Sequence, residues 1–267
     1  MTPFRSVLCA LDFSDHSRAV LYHAAGIAGA SGARLTLLHV GGGDAADVER
    51  QLQSLYFETV PYGAPYLADP HVEARDGQRA DAILAAARDR AVDLIVTGTR
   101  ARGMIARMLL GSTTTRLLQE TDRPVLLVPP SGLEVVSLST DRVGLHFGAV
   151  VAAVDLAERN DAQLRLASAL AALARQPLML LSVGDASADE HEIARALRAR
   201  AKEADVTIGA VIVRKGQVAE EIGRAAKHEQ AGIVVMGLRK AARGTPGAVA
   251  SAVLESGRTL VLAVPEV

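Results

Sequence analysis

The chain has 267 residues, 49% hydrophobic with no Trp, and 29 basic against 30 acidic side chains leave a formal net charge of −1. That length fits two modest domains, and interspersed charges of nearly equal number offer no broad basic face to a nucleic-acid backbone, so no nucleic-acid partner is expected. The single Cys9 can form no internal disulfide, no run reaches the ~18 apolar residues of a membrane span, and the N-terminal apolar run stops at Asp12, short of a signal-peptide core, so a cytoplasmic protein with no membrane partner is expected.

The first apolar run, Val7–Leu11, has strand length and holds Cys9 as a small buried hydrophobe. Asp12 ends it and leads through Ser14-Asp15-His16-Ser17, a set of helix N-cap residue types, into a helical pattern over 15–30. A second strand, Arg34–His39, is followed by Gly41-Gly42-Gly43, which lacks a phosphate-binding lysine and reads as a turn, and His39 reads as a strand-end hydrogen-bonder. A helix over 44–57 opens a long connection, 44–70, that carries Tyr56, Tyr62 and Tyr66. It reads as packing over the sheet rim, with a lid or an exposed aromatic patch as alternatives. Strand His71–Arg75, a helix over 78–91, strand Leu94–Gly98, a helix over 112–121 and strand Val125–Val128 complete the half.

The chain then repeats itself. Asp76-Gly77-Gln78-Arg79-Ala80 returns as Lys215-Gly216-Gln217-Val218-Ala219, an offset of 139. At the same offset Asp93–Gly98 falls on Gly232–Gly237 and Ser112 on Ser251, while Asp12 matches Asp155 at an offset of 143. A period this long indicates domain duplication rather than a short-repeat solenoid. The expected domains are 1–130 and 146–267, joined near Pro129 to His146.

Continuously apolar strands alternating with helices indicate α/β architecture, with a parallel sheet covered on both faces in each half. Ligands of such doubly wound sheets sit beyond the carboxyl ends of the strands, where the winding reverses. Two places there can carry chemistry. Asp12 can accept hydrogen bonds from an adenine or ribose, and the same residue type caps helices and forms turns. The stretch from Gly98 to Thr115 leaves a strand, passes Arg100, Arg102, Gly103 and Arg107, and returns to Gly111-Ser112-Thr113 at a helix start. Backbone N–H groups, hydroxyls and the helix dipole would favour an anion there, and an ordinary basic loop with a capped helix is the alternative.

The spacing Gly98-x2-Ala101-x9-Gly111-Ser112 resembles the nucleotide loop of the universal stress protein family, Gly-x2-Gly-x9-Gly-(Ser/Thr). Asp12, Leu38-His39-Val40, the turn Gly77-x2-Ala80 and Pro124–Pro129 extend the resemblance over nearly all of both halves, as in tandem members. The resemblance implies two five-stranded, Rossmann-like sheets of order 3-2-1-4-5, of the adenine nucleotide alpha hydrolase type. It implies adenine near Ala10, Asp12 and Val40, and phosphates over Gly98, Arg100, Ala101, Gly111, Ser112 and Thr113. The ligand would be ATP, AMP or ADP, with Mg²⁺ held by the phosphates, in a stress-response module. Family members also pair domains, so an intramolecular pairing is implied, with a homodimer and an unknown protein partner as further assemblies.

Two departures matter. Ala101 replaces the second loop glycine, and a left-handed backbone there would cost ~1–2 kcal/mol, about tenfold in affinity. In the second half the pattern becomes Gly237-x2-Lys240-x9-Ala250-Ser251, with two motif glycines absent, so nucleotide is expected in the first half alone. Asp155, Val183 and Ser251 keep matching positions there, read as structural. No P-loop, Gly-x-Ser-x-Gly elbow or metal-ligand spacing of the His residues is present. No catalytic or metal-binding residue is nominated, which makes a binding module the reading. A non-nucleotide scaffold of the same family and a slow ATP hydrolase are the alternatives.

Overall fold

A computed structural model describes residues 2–99, 110–130, 132–238, 248–256 and 259–266. In the first unit, residues 2–130 and 134–145, the apolar runs become β1 (Ser6–Leu11), β2 (Arg34–Val40), β3 (His71–Arg75), β4 (Leu94–Gly98) and β5 (Val125–Val128). They lie parallel in the order β3-β2-β1-β4-β5. In β1 and β4 the runs are continuous because both sheet faces are covered, and Val7, Leu8, Cys9, Leu94, Ile95 and Val96 are all fully buried, while β3 is partly exposed.

Helices α1 (Ser17–Ser31), α2 (Ala45–Thr59), α3 (Arg79–Asp89) and α4 (Ser112–Glu120) connect the strands. Each starts where a local device permits. Asp12 Oδ1 accepts from Ser14 N and Ser17 Oγ ahead of α1, and Asp44 Oδ1 accepts from Asp47 N at the N-cap of α2. Before α3 the chain turns at Gly77 with φ 110°, a conformation that favours glycine. The repeat of this Gly-Gln pair at 216 and 217 has the same cause, since Gly216 has φ 139° ahead of the next unit's matching helix.

Residues 134–145, left between the two domains by sequence, fold with the first unit as an antiparallel hairpin, β6 (Val136–Leu138) and β7 (Val143–Leu145). It packs on α1. Leu138 N donates to Tyr22 Oη at 3.1 Å, Tyr66 Oη donates to Ser139 O at 2.8 Å, and Val135 and Val136 are buried. The long connection after α2 therefore has a definite seat: Tyr66 lies against Gly29 of α1, Tyr56 is buried, and Tyr62 is 90% exposed.

The second unit, chiefly residues 146–267, repeats the plan with β8 (Ala149–Ala153), α5 (Asp161–Ala174), β9 (Leu178–Gly184), α6 (Glu190–Glu203), β10 (Ala210–Lys215), α7 (Val218–His228), β11 (Ala231–Leu238), α8 (Ala248–Ser256) and β12 (Leu260–Pro265). Its parallel order, β10-β9-β8-β11-β12, is that of the first unit position for position.

Candidate functional site

In the first unit the winding reverses between β1 and β4, so the crevice lies over their carboxyl ends. Ala10 stands there in register with Leu38 of β2 and Thr97 of β4. Val40 closes β2 and is buried. Asp12 follows β1, and its Oδ1 holds the turn into α1 through the two serine donors. Phe13, with φ 56°, lies next to His39, their ring centroids 4.5 Å apart. His39 Nδ1 is 2.8 Å from Leu11 O. A carbonyl can only accept, so Nδ1 carries the proton, and the strand-end role expected of His39 is the one it has. A Cβ on Gly41 would lie 2.7 Å from His39 Nε2, so the first glycine of the triple makes room for that ring.

The loop after β4 is pinned at both ends. Thr99 N donates to Val128 O at 3.2 Å, Gly111 N donates to Thr99 O at 3.1 Å, and Thr114 Oγ1 donates to Gly98 O at 3.2 Å. Arg100 and Ala101 lie outside the described residues, as do Arg102, Gly103 and Arg107. Gly111 is the N-cap of α4 with φ −68° and ψ 158°, an extended backbone open to any residue, and it brings no side chain to accept from the first turn. Ser112 is exposed and Thr113 half-buried in that turn. Thr99 is wholly buried, 0% exposed, and its Oγ1 has no hydrogen-bond partner. An unsatisfied buried hydroxyl is costly, and this one sits at the root of the candidate phosphate loop.

Gly98 also has a packing role. A Cβ there would lie 3.0 Å from His16 Cδ2 and 3.3 Å from Val20 Cγ2, so the start of α1 needs the space. His16 Nε2 in turn donates to Val128 O at 2.9 Å, the carbonyl that also receives Thr99 N. Thr99 and Thr114 do not stand out by sequence, and His16 does so only among the N-cap candidates ahead of α1, whose N-cap it is. Their partners across the loop and sheet lie 12 or more residues away, and only the repeated glycine at 98 and 237 hints at a shared packing site.

The matching place in the second unit is built differently. Asp155 Oδ1 accepts from Ala157 N at 2.9 Å, a turn role. Val183 is in β9, Ser251 is half-buried in α8 and Ala250 is buried. Arg239 and Lys240 lie outside the described residues. Among the described residues, no group of three or more His, Cys, Asp or Glu side chains is set to hold a metal ion, and no helix is long and apolar enough to cross a membrane.

The model of the Universal stress protein family matches residues 3–129 and 146–265. A universal stress protein from Thermus aquaticus, encoded in a QAH/OAS sulfhydrylase 3' region, is 34% identical over 139 residues, which are 47% of this chain and 98% of that protein. A universal stress protein from Archaeoglobus fulgidus has the same fold with a TM-score of 0.69 at 18% identity, covering 99% of this chain and 97% of that one. A functionally unknown protein from Pseudomonas aeruginosa superposes with a TM-score of 0.68 at 19% identity, over 98% and 93% of the two chains.

Proposed function

The chain belongs to the universal stress protein family in both of its halves, and from that premise we propose that its first unit binds ATP or a related adenine nucleotide, AMP or ADP, as a stress-response regulatory module. The observation that carries this reading is Thr99: a buried hydroxyl without a partner stands where the loop from β4 meets the N-terminus of α4. The first turn of α4, uncapped by any side chain of Gly111, supplies backbone N–H groups and the hydroxyls of Ser112 and Thr113 to phosphate oxygens. Arg100, Arg102 and Arg107 add positive charge from the same loop. Ala10, Asp12 and Val40 border the adenine and ribose side of the crevice. Mg²⁺, when bound, is held by the phosphates and neutralises their charge.

A second reading has its own support. Gly98 is accounted for by the packing of His16 and Val20, and Asp12 by the turn into α1, so two family-pattern residues have structural work without a nucleotide. That favours a scaffold whose loop has drifted. Heating the purified protein and chromatographing the supernatant separates the two readings. Stoichiometric adenine nucleotide supports the first. Its absence, together with no heat on titration with ATP, supports the second.

A further inference from the structure

At the carboxyl ends of β8 and β11 in the second unit, side chains at the start of α5 bond the carbonyls of the sheet. Asn160 caps α5, its Oδ1 accepting from Gln163 N at 3.0 Å and its Nδ2 donating to Val264 O of β12 at 3.2 Å. Gln163 is 4% exposed, and its Nε2 donates to two carbonyls, Ala153 O at 2.7 Å and Val235 O at 3.0 Å. Two carbonyl partners fix the nitrogen of that amide on the sheet side, with both of its hydrogens used. Ala153 ends β8 and Val235 lies in β11, the adjacent strands between which the winding reverses. One turn of α5 is thereby tied to three strands. Gly237 admits the arrangement, since a Cβ there would lie 3.3 Å from Asn160 Nδ2 and 3.4 Å from Gln163 Oε1.

The first unit has half of this device. His16 reaches Val128 O as Asn160 reaches Val264 O, in each case the residue before the proline that follows or ends the fifth strand. Val20 faces the Cβ position of Gly98 as Gln163 faces that of Gly237. Valine has no donor, so it cannot bridge the two central strands. The halves thus differ in whether a buried side chain in the first turn of the helix can donate to the two central strands, beneath the place where a doubly wound sheet receives its ligand.

We infer that Gln163, positioned by Asn160, is the residue that excludes a ligand from the second unit, its carboxamide serving as a built-in occupant of the switch crevice. A ligand entering there would have to displace both Nε2 hydrogen bonds and leave those donors unpaired. The clamp holds whether or not the first unit binds nucleotide, because each of its partners lies within residues 146–267.

The test is hydrogen–deuterium exchange on the full chain, comparing segments 150–155 and 233–238 with 7–12 and 94–99 as internal controls. In Gln163→Met, which keeps the side-chain length and removes both donors, exchange of the two second-unit segments should rise about tenfold, the ratio expected when a buried acceptor loses its donor. The controls should be unchanged. Gln163→Glu, which sets a carboxylate against two carbonyls, should exceed it. Unchanged exchange in Gln163→Met overturns the clamp. Should that chain fail to fold, Asn160→Ser keeps an N-cap and cuts only the tie to Val264. Faster exchange confined to the second unit then supports the clamp, and wild-type exchange overturns it. In the wild-type chain, ATP should leave 150–155 and 233–238 unprotected, and protection there would show that the crevice admits a ligand.

Discussion

Val136 sits on Gly26: a Cβ built at Gly26 of α1 would fall inside contact distance of both Val136 methyl carbons. Gly26→Ala therefore sets two effects against each other. Alanine gains up to about 1 kcal/mol of helix propensity, while overpacking against a β-branched neighbour costs about 1–3 kcal/mol. The second should win, because Val136 is held by the hairpin and has no flexible end to move aside. Denaturant unfolding should give a net loss of about 1–2 kcal/mol, with faster amide exchange over 136–145. Equal or greater stability would mean that the hairpin is only loosely seated.

Alkaline pH should destabilise the first unit. Burial pushes up the Cys9 thiol, burial and then the nearby Asp69 push Tyr56 up to about 12, and burial followed by Tyr22 raises Tyr66. Each folded pKa exceeds its unfolded value, so the folded protein holds these protons more tightly. Their contribution is complete below the unfolded values, ~8.5 for Cys and ~10 for Tyr, and is lost as pH climbs towards the folded ones. Unfolding free energy measured against pH should fall from about pH 8.5 upward. Cys9→Ala should remove the early part of that fall and leave the part above about pH 10.

Much of this architecture is legible in the residues alone. β3, β4 and β5 occupy the expected spans, and β1 and β2 differ by one terminal residue; β1, β2, β4 and β5 announce themselves as apolar runs because they are buried, whereas the partly exposed β3 carries His71, Glu73 and Arg75. The hairpin is not legible in that way. Its strands are three residues each, too short for a periodic signal, although Ser139-Thr140-Asp141 is turn chemistry between them. Its partners, Tyr22, Gly26 and Tyr66, are distant in sequence. The same holds for the site. Gly98 and Gly111 stand out by spacing, whereas Thr99 is an unremarkable residue until its burial is known. Gln163 had one available signal, a polar residue where the first half has Val20.

Gly98→Ala and Gly237→Ala should each lower stability without any ligand present. The new methyl meets His16 and Val20 in one unit, and Asn160 and Gln163 in the other. Overpacking of this kind costs about 1–3 kcal/mol, read from denaturant unfolding. A Gly98→Ala protein of unchanged stability that no longer binds ATP would instead assign that glycine to the ligand.

Restoring the family's glycine should strengthen binding. Ala101→Gly removes a Cβ from the expected phosphate path, while the added freedom of the unbound loop offsets ~0.5–1 kcal/mol of the gain. A few-fold tighter ATP dissociation constant is the expected outcome on calorimetric titration. Weaker binding would mean that the alanine is the better residue for this loop.

Calorimetric titration of the intact chain with ATP, run beside Gly111→Val, decides whether the start of α4 holds the phosphates. Gly111 caps α4 with an extended backbone that valine can adopt, but the position is buried, so circular dichroism must first report a normal α/β spectrum for the variant. Its branched side chain would stand in front of the first-turn N–H groups. One site per intact chain and loss of most binding in the folded variant are expected. Two equivalent sites in the intact chain, or a folded Gly111→Val protein that binds ATP as its parent does, would contradict this expectation.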